Sequence, residues 1–221
     1  LPVRTQRVGR GTYDFAGKYL AEVNFRWDGS SRFPKHDRWG FFPSVALGWR
    51  ISEENFMEPL RKVIDNVKLR ASVGSLGNQA IADSYPYIQS LSPSLSTSYL
   101  MNGNKIYITS LGAPQSGDLT WETIITKNLG LDLGFFGNRL TATADFYIRD
   151  TKDMLTDGMA LPGVYGADSP SMNSAELRTK GYELSVSWRD QFKLAGKPFE
   201  YSVGFNLITE PGRPATMPAL S

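Results

Sequence analysis

Apolar and polar residues alternate one by one along much of this chain. From Tyr19 to Asp28, odd positions are apolar and even positions are mostly polar. Successive side chains of a β-strand point to opposite faces, so this period of two predicts strands with one apolar and one polar face. A shorter strand is expected at Gly9–Phe15, before the segments that carry the pattern. Those segments are Tyr19–Asp28, Phe41–Ile51, Val67–Gly74, Asn128–Phe135, Leu140–Arg149, Gly181–Arg189 and Phe199–Leu207.

The length of these segments favours strands that cross a membrane. Several run to about ten residues, which a tilted strand needs to span a bilayer, whereas ordinary strands centre on about 5–6. Aromatic residues lie near the ends of the apolar rows, as in the girdles of outer-membrane barrels. The pairs are Tyr19 and Trp27, Phe41 and Trp49, and Tyr182 and Trp188. A soluble sandwich with a core of these aromatics remains the alternative.

The predicted connections alternate in length, as they do in membrane barrels. Short connections are expected at Ala16-Gly17, Gly137-Asn138 and Gln191–Pro198. Long ones are expected at Gly29–Arg38, Leu76–Asp118 and Thr151–Leu177. The exception is Ser52–Asn66, whose apolar spacing predicts a small helix on the short-loop side. Loops as long as Leu76–Asp118 are unusual in a compact soluble domain.

Composition narrows the class of protein without contradicting a barrel. The formal net charge of +2 and the 41% apolar content give no sign of disorder or of a nucleic-acid surface. Cysteine is absent, which excludes disulfides and thiolate metal sites within the chain. No run of 18 apolar residues occurs, so a transmembrane helix is not expected. The sequence begins at Leu1 without a signal peptide, which suggests a mature form or a piece of a longer protein.

Lys127 fits the alternation poorly. It falls in the apolar row of its strand, between Ile125 and Leu129. Two explanations stay open at this point: the lysine lies at a membrane interface, or a β-bulge resets the phase of the strand there.

Short motifs follow one another in a fixed order from Lys18 to Leu184. Those of the first stretch are Asp28–Phe33, Arg38–Ser44, Gly48–Glu54, Leu69–Gly74 and Gly77–Gln79. Those of the second are Leu119–Glu122, Asn128–Asp132, Asn138–Leu140, Asp145–Tyr147, Thr151–Leu155 and Lys180–Leu184. Together they resemble the C-terminal barrel of SusC/RagA-like TonB-linked outer-membrane proteins of Bacteroidetes. The resemblance covers nearly the whole chain, up to about Leu207.

The resemblance implies an all-β fold: about eight antiparallel strands of a larger, 22-stranded transmembrane barrel with an N-terminal plug. It also implies a place in the cell outer membrane, energy from TonB, a SusD-like surface lipoprotein as partner, and import of glycans, peptides or other large nutrients. The plug and the TonB-contacting segment have no counterpart in this sequence. We therefore expect residues 1–208 to be part of a receptor barrel and residues 209–221 to be a divergent or artificial tail.

The sequence offers little chemistry for catalysis. His36 is the only histidine and lies on a predicted loop without a second histidine or a cysteine, so we expect a solvated residue. No catalytic, cofactor-binding or metal-ligating residue is predicted. The segment Gly134–Gly137 is expected to form a turn rather than a phosphate loop.

Charged residues of both signs are predicted to line the polar face. We expect them to hydrogen-bond to one another, to water and to a plug rather than to substrate. They are Glu22, Arg26, Asp28, Arg50, Lys68, Arg70, Asp132, Asp145, Arg149, Glu183 and Arg189. Substrate contact, if it occurs, is expected in the aromatic loop segments Tyr85–Gln89 and Ser98–Asn102, with no residue assigned. Two other functions stay open, a soluble carbohydrate-binding β-domain and a small self-contained barrel.

Overall fold

A computed structural model describes residues 3–79, 87–89, 91–112, 114, 119–157, 162–166, 169–194, 197–209 and 212–214. Nearly all of its secondary structure is antiparallel β-sheet. The strands are β1 (Arg4–Phe15), β2 (Tyr19–Ser30), β3 (Trp39–Arg50), β4 (Ile64–Asn78), β5 (Leu91–Met101), β6 (Asn104–Leu111), β7 (Glu122–Phe135), β8 (Leu140–Asp157), β9 (Ser171–Leu194), β10 (Lys197–Thr209) and β11 (Gly212–Pro214).

One large sheet contains the eight strands predicted from the alternation. Its order is β1-β2-β3-β4-β7-β8-β9-β10, and β11 pairs with β9 near Arg178. Strands β5 and β6 form a separate hairpin within the connection between β4 and β7. Within the described part of the chain β1 does not pair with β10, so the sheet stays open at both edges.

The predicted strands are right in place, but most are too short, and the largest extensions are at the long-loop ends of β8 and β9. Strand β1 has 12 residues, β8 has 18 and β9 has 24. The predicted loop Thr151–Leu177 is therefore wrong in extent, because β8 continues to Asp157 and β9 begins at Ser171. The loop Leu76–Asp118 likewise contains the β5–β6 hairpin. These extensions continue beyond the apolar row and mix polar with apolar residues without a period of two, so no alternation marks them.

Two of the three predicted short connections are confirmed, and the third, Gln191–Pro198, is wrong in extent because β9 continues to Leu194 and β10 begins at Lys197. Ala16 and Gly17 have φ of 55° and 65°, the left-handed pair of a tight hairpin turn. Phe136, Gly137 and Asn138 also have positive φ, and the Asp65 carboxylate accepts hydrogen bonds from the Gly137 and Asn138 amides. The helix predicted within Ser52–Asn66 occurs as two 3-10 helices, Ile51–Glu53 and Asn55–Leu60. Among the described residues, no helix is long and apolar enough to cross a bilayer.

The pairing register gives the sheet one apolar and one polar face. One row of directly paired residues crosses all eight strands on the apolar face: Tyr13, Ala21, Leu47, Ala71, Leu129, Phe146, Tyr182 and Thr209. No second sheet covers this face in the described structure. Five large side chains on it, Phe25, Trp27, Leu47, Leu129 and Phe146, are between 47% and 56% exposed. In a soluble sandwich a second sheet would pack against this face. A contiguous exposed apolar surface of this extent instead indicates a surface that interacts with a membrane or another protein.

Lys127 keeps the phase of its strand. It pairs with Val73 on one side and Ile148 on the other, and neither pairing shifts register near it. The bulge explanation is therefore wrong, and Lys127 lies on the apolar face with an exposed side chain.

The aromatic residue at the long-loop end of the apolar row lies at different levels on β2 and on β9. On β9 the aromatic residue at the long-loop end is Tyr182, which is level with Ala21 on β2. On β2 it is Trp27, six residues further along. Five strand-to-strand steps separate β2 from β9. With roughly 3.3 Å per residue and roughly 4.8 Å between strands, this shift corresponds to a strand tilt of about 40°, the tilt of membrane barrels.

Glu54 joins the helical connection between β3 and β4 to the sheet. Its carboxylate accepts hydrogen bonds from the Tyr19 hydroxyl at 2.8 Å and the Trp49 indole at 3.1 Å, and Lys18 Nζ lies at 3.2 Å. Tyr19 and Trp49 stack with ring centroids 6.4 Å apart. These donors stabilise the ionised carboxylate, and the Tyr19 hydroxyl contributes most to lowering the pKa of Glu54 below its ordinary 4.5.

We predict that Glu54→Gln lowers the unfolding temperature of the folded protein at pH 7 and has a smaller effect at acidic pH. The folded-state pKa is depressed, so the stabilisation is complete above pH 4.5 and is lost as the pH falls through the folded-state value. Thermal unfolding at pH 7 and pH 3 measures the difference, with the exposed Glu58→Gln as control. An equal effect of Glu54→Gln at both pH values would contradict it.

Candidate functional site

All eleven charged residues predicted for the polar row lie on the polar face. The register settles this, because directly paired residues share a face and faces alternate along each strand. Arg50, for example, pairs with Lys68, and Lys68 pairs with Asp132. The polar face of the sheet therefore carries charges of both signs along the whole length of the apolar row behind it.

Arg70 is the centre of the strongest ion network on this face. Its Nε and Nη2 each lie 2.9 Å from an oxygen of Asp132 in a bidentate pair. The same Nη2 lies 3.1 and 3.2 Å from the two oxygens of Asp145. The three residues belong to β4, β7 and β8, so one guanidinium links three adjacent strands. Bidentate arginine pairs are among the strongest charge-assisted hydrogen bonds.

Gly130 makes room for this network. It lies directly between Arg70 and Asp145 in the pairing row. A Cβ atom at this position would lie 2.5 Å from Asp145 Oδ1 and 2.7 Å from Arg70 Nη2. The Arg70 guanidinium therefore crosses β7 above the Cα of Gly130 to reach Asp145 on β8. Any residue with a Cβ atom at position 130 would displace the guanidinium or the Asp145 carboxylate.

A second charged group lies nearer the long-loop end. Asp28 is fully buried, and its Oδ2 accepts a hydrogen bond from Arg26 Nε at 2.8 Å, with Arg4 Nη2 at 3.8 Å. Arg26 also lies over the ring of Phe42, 5.7 Å from its centroid. The second oxygen, Oδ1, is buried without a hydrogen-bond partner among the described residues. Only the Oδ2 atom of the Asp28 carboxylate thus interacts with an arginine among the described residues.

Beside it, the long connections contribute a small aromatic core. Phe33 from the β2–β3 connection and Trp121 from the segment before β7 lie 4.8 Å apart between ring centroids, and Trp121 lies 5.6 Å from Phe42 of β3. Leu119 completes this buried cluster. A Cβ at Gly77 would lie 2.0 Å from the Phe42 ring, so only glycine lets that ring lie flat on β4. The cluster ties two long connections to the polar face.

Beside Arg70, on β1 to β4, the polar face has an open depression of about 510 Å³. Its floor includes Thr12, Asp14 and Glu22 on one side and Lys68 and Arg70 on the other. Both signs of charge and exposed hydroxyl groups suit a hydrated surface that faces water or polar solute.

A protein-family model described as "TonB dependent receptor-like, beta-barrel" matches residues 4–216 of this chain. The chain belongs to this receptor family.

Two curated relatives fit this family. The TonB-dependent receptor SusC of Bacteroides thetaiotaomicron is 35% identical over 199 residues, covering 90% of this chain and 19% of SusC. TonB-dependent receptor P3 of Formosa agariphila is 34% identical over 210 residues, covering 95% of this chain and 20% of P3. The chain thus spans about a fifth of the length of these receptors.

A solved structure of the RagAB peptide transporter has the same fold. It is 26% identical, with a TM-score of 0.78, over 96% of this chain and 22% of that chain. The resemblance to SusC/RagA-like receptors predicted from sequence is thereby confirmed, and the eight strands are part of a TonB-dependent receptor barrel.

Three further sites were singled out in the sequence: His36 and the two aromatic loop segments. His36 is an exposed loop residue whose Nε2 lies 2.9 Å from Asp37 Oδ2. Tyr87 donates a hydrogen bond to the Ser31 carbonyl at 3.3 Å, which brings that segment to the β2–β3 connection. Residues 80–86 and the side chains of 97–99 lie outside the described structure, so the prediction of substrate contact there stays untested.

Sequence reasoning missed two features of the receptor segment. Arg10 of β1 pairs with Glu22 at 2.8 Å, and β1 lacks a clear apolar row that would have indicated the face on which Arg10 lies. The Phe33–Trp121 contact joins two connections that have no periodic pattern. Gly77 and Gly130 were the sequence signal for contacts across the polar face, since each lies where a large neighbouring side chain crosses the strand.

We predict that Gly130→Ala destabilises the receptor barrel by about 1–3 kcal/mol, because the new Cβ overlaps Arg70 and Asp145. Gly11→Ala is the matched control, since Gly11 is also a strand glycine and a Cβ there meets no described atom within 4 Å. Denaturant unfolding of both variants measures the difference. Equal stability of the two variants would show that the guanidinium does not need the bare backbone.

Proposed function

We propose that this chain forms part of the barrel wall of a TonB-dependent importer in the outer membrane, with its apolar face against lipid and its polar face along the lumen. One observation carries the proposal: a continuous apolar face, about half exposed, lies on a sheet whose other face is charged and has an open polar depression. Lipid is the cover that suits the first face, and a plug or a polar solute suits the second.

The open edges support a larger barrel. Unpaired strand edges are not tolerated in lipid, so β1 and β10 need neighbouring strands on both sides. A chain that spans 22% of the RagAB receptor and adopts its fold with a TM-score of 0.78 is suited to be one arc of such a wall. In this arrangement residues 1–208 are barrel wall and residues 209–221 are a divergent tail, of which residues 210, 211 and 215–221 lie outside the described structure.

Cargo and partners follow from the relatives rather than from a site. RagAB is a peptide transporter, and SusC is a receptor of the same family as this chain. We propose a glycan or a peptide as cargo, a SusD-like surface lipoprotein as the partner at the long-loop end, and TonB as the energy source. In this proposal the segment is a transporter wall and not an enzyme, and its charged residues hold the wall together and keep it hydrated.

The proposal predicts a difference between the complete receptor and this chain expressed alone. The complete receptor extracted in detergent is expected to give a compact band on a gel that shifts on heating, and to co-purify with a lipoprotein. Residues 1–221 alone are expected to aggregate without detergent and to give no compact band, because two strand edges stay open.

Two results would contradict it. Soluble, monomeric, β-rich protein from residues 1–221 without detergent would indicate a carbohydrate-binding β-domain instead. A compact, heat-modifiable form of residues 1–221 in detergent would indicate a small barrel that closes by itself.

A further inference from the structure

Four cations cluster on the apolar face of β7, β8 and β9, at the long-loop end of these strands. They are Lys127 of β7, Lys152 of β8, and Arg178 and Lys180 of β9, and all four are exposed. We refer to these four residues as the cationic patch. Lys127 and Lys180 lie on either side of Ile148 in one pairing row, so their Cα atoms are about 10 Å apart.

The patch lies at the boundary of the apolar row, at the long-loop end. The next pairing row contains Leu129, Phe146 and Tyr182, and the two aromatic side chains are about half exposed. A lysine at the bilayer midplane would cost about 2–4 kcal/mol, whereas near the interface the cost falls to about 0–1 kcal/mol. Aromatic side chains of this kind mark the level of the lipid headgroups. The position of the patch therefore brings its cations among headgroups.

The acids nearby neutralise only part of the charge. Asp150 lies in the row of Arg178, is 12% exposed, and accepts a hydrogen bond from Arg178 Nε. Glu176 contributes a weaker attraction to Arg178. Lys127 and Lys152 attract Asp150 electrostatically without forming a salt bridge to a described carboxylate, and Lys180 also forms none. Three lysines are thus left to meet an external anion.

The shape of the site suits a headgroup. Beside the Asp150–Arg178 pair lies an open depression of about 200 Å³, which also includes Thr151, Lys152, Glu176 and Leu177. The pairing register shifts there between Thr151 and Met154, and Asp153 has a φ of 55°. The irregular backbone turns part of the strand away from the flat face and opens the depression next to Lys152.

We propose that the cationic patch binds the phosphate groups of an anionic lipid in the outer leaflet, while Phe146 and Tyr182 contact the upper part of its acyl chains. Charge complementarity selects the occupant, since lysines at a lipid interface attract phosphorylated headgroups. The site rests on the membrane placement proposed above but on no assumption about cargo or TonB.

The test uses the complete receptor in detergent and native mass spectrometry with added lipid A. The triple variant K127Q/K152Q/K180Q is compared with the matched control K62Q/K193Q/K197Q, which removes three exposed lysines at the short-loop end. Each lysine of the patch is expected to contribute roughly fivefold to binding, so the patch variant should lose about a hundredfold and the control little. Dephosphorylated lipid A should bind equally to both.

Three outcomes would overturn the proposal. Equal loss in the patch variant and the control would mean nonspecific attraction to total charge. Unchanged binding in the patch variant would place the lipid elsewhere. Full displacement of lipid A by millimolar inorganic phosphate would mean a site for free phosphate. If neither the wild type nor the patch variant gives a compact, heat-modifiable band, the result counts against the membrane barrel itself. The lipid site and the barrel wall are therefore tested by different readouts.

Discussion

The whole segment depends on an unbroken strand register. Within the apolar row, the pairing continues from Tyr13 to Thr209 without a slip, so each strand presents its apolar side chains to the same side. A shift of one residue would move charges onto the lipid side along a whole strand, at about 2–4 kcal/mol for each Arg or Lys near the midplane. The register shifts described in the large sheet lie outside this zone, at Ile64–Asn66 and Thr151–Leu155.

The polar face helps to hold that register. Arg70 reaches across β7 to Asp145 and also pairs with Asp132, which fixes three strands relative to one another. Gly130 permits the crossing because it has no side chain. At the long-loop end Phe33 and Trp121 bring two connections onto the same face, and at the short-loop end Glu54 joins the helical connection to Tyr19 and Trp49. Both ends of the wall segment are therefore anchored by contacts between connections and strands.

Much of this fold could be predicted because half-buried strands record their two environments in sequence. Seven of the eight strands and the eleven residues of the polar face follow from period two. The long-loop ends of β8 and β9 could not be predicted, since they mix polar and apolar residues without that period. The Phe33–Trp121 contact joins segments far apart in sequence, and only coordinates show it.

Lys127 illustrates the limit of a pattern. Its position fits either a bulge or an interface, and the choice depends on pairings with two other strands. Interpolation between Trp27 on β2 and Tyr182 on β9 puts the aromatic level at the row of Lys127 on β7, which explains why a lysine is tolerated there. The Arg178–Asp150 pair lies one row further toward the long-loop end of the same face and was likewise not predicted.

The central claim is that adjacent residues of one strand face lipid and water in turn. Single cysteines at Val23 and Asn24 of the complete receptor, in a cysteine-free background, test it most directly after labelling with bimane and reconstitution into lipid. The account predicts that nitroxide-labelled lipid quenches the label at position 23 and that aqueous iodide quenches the label at position 24. Equal quenching of both labels by both agents, or the reverse assignment, would contradict it.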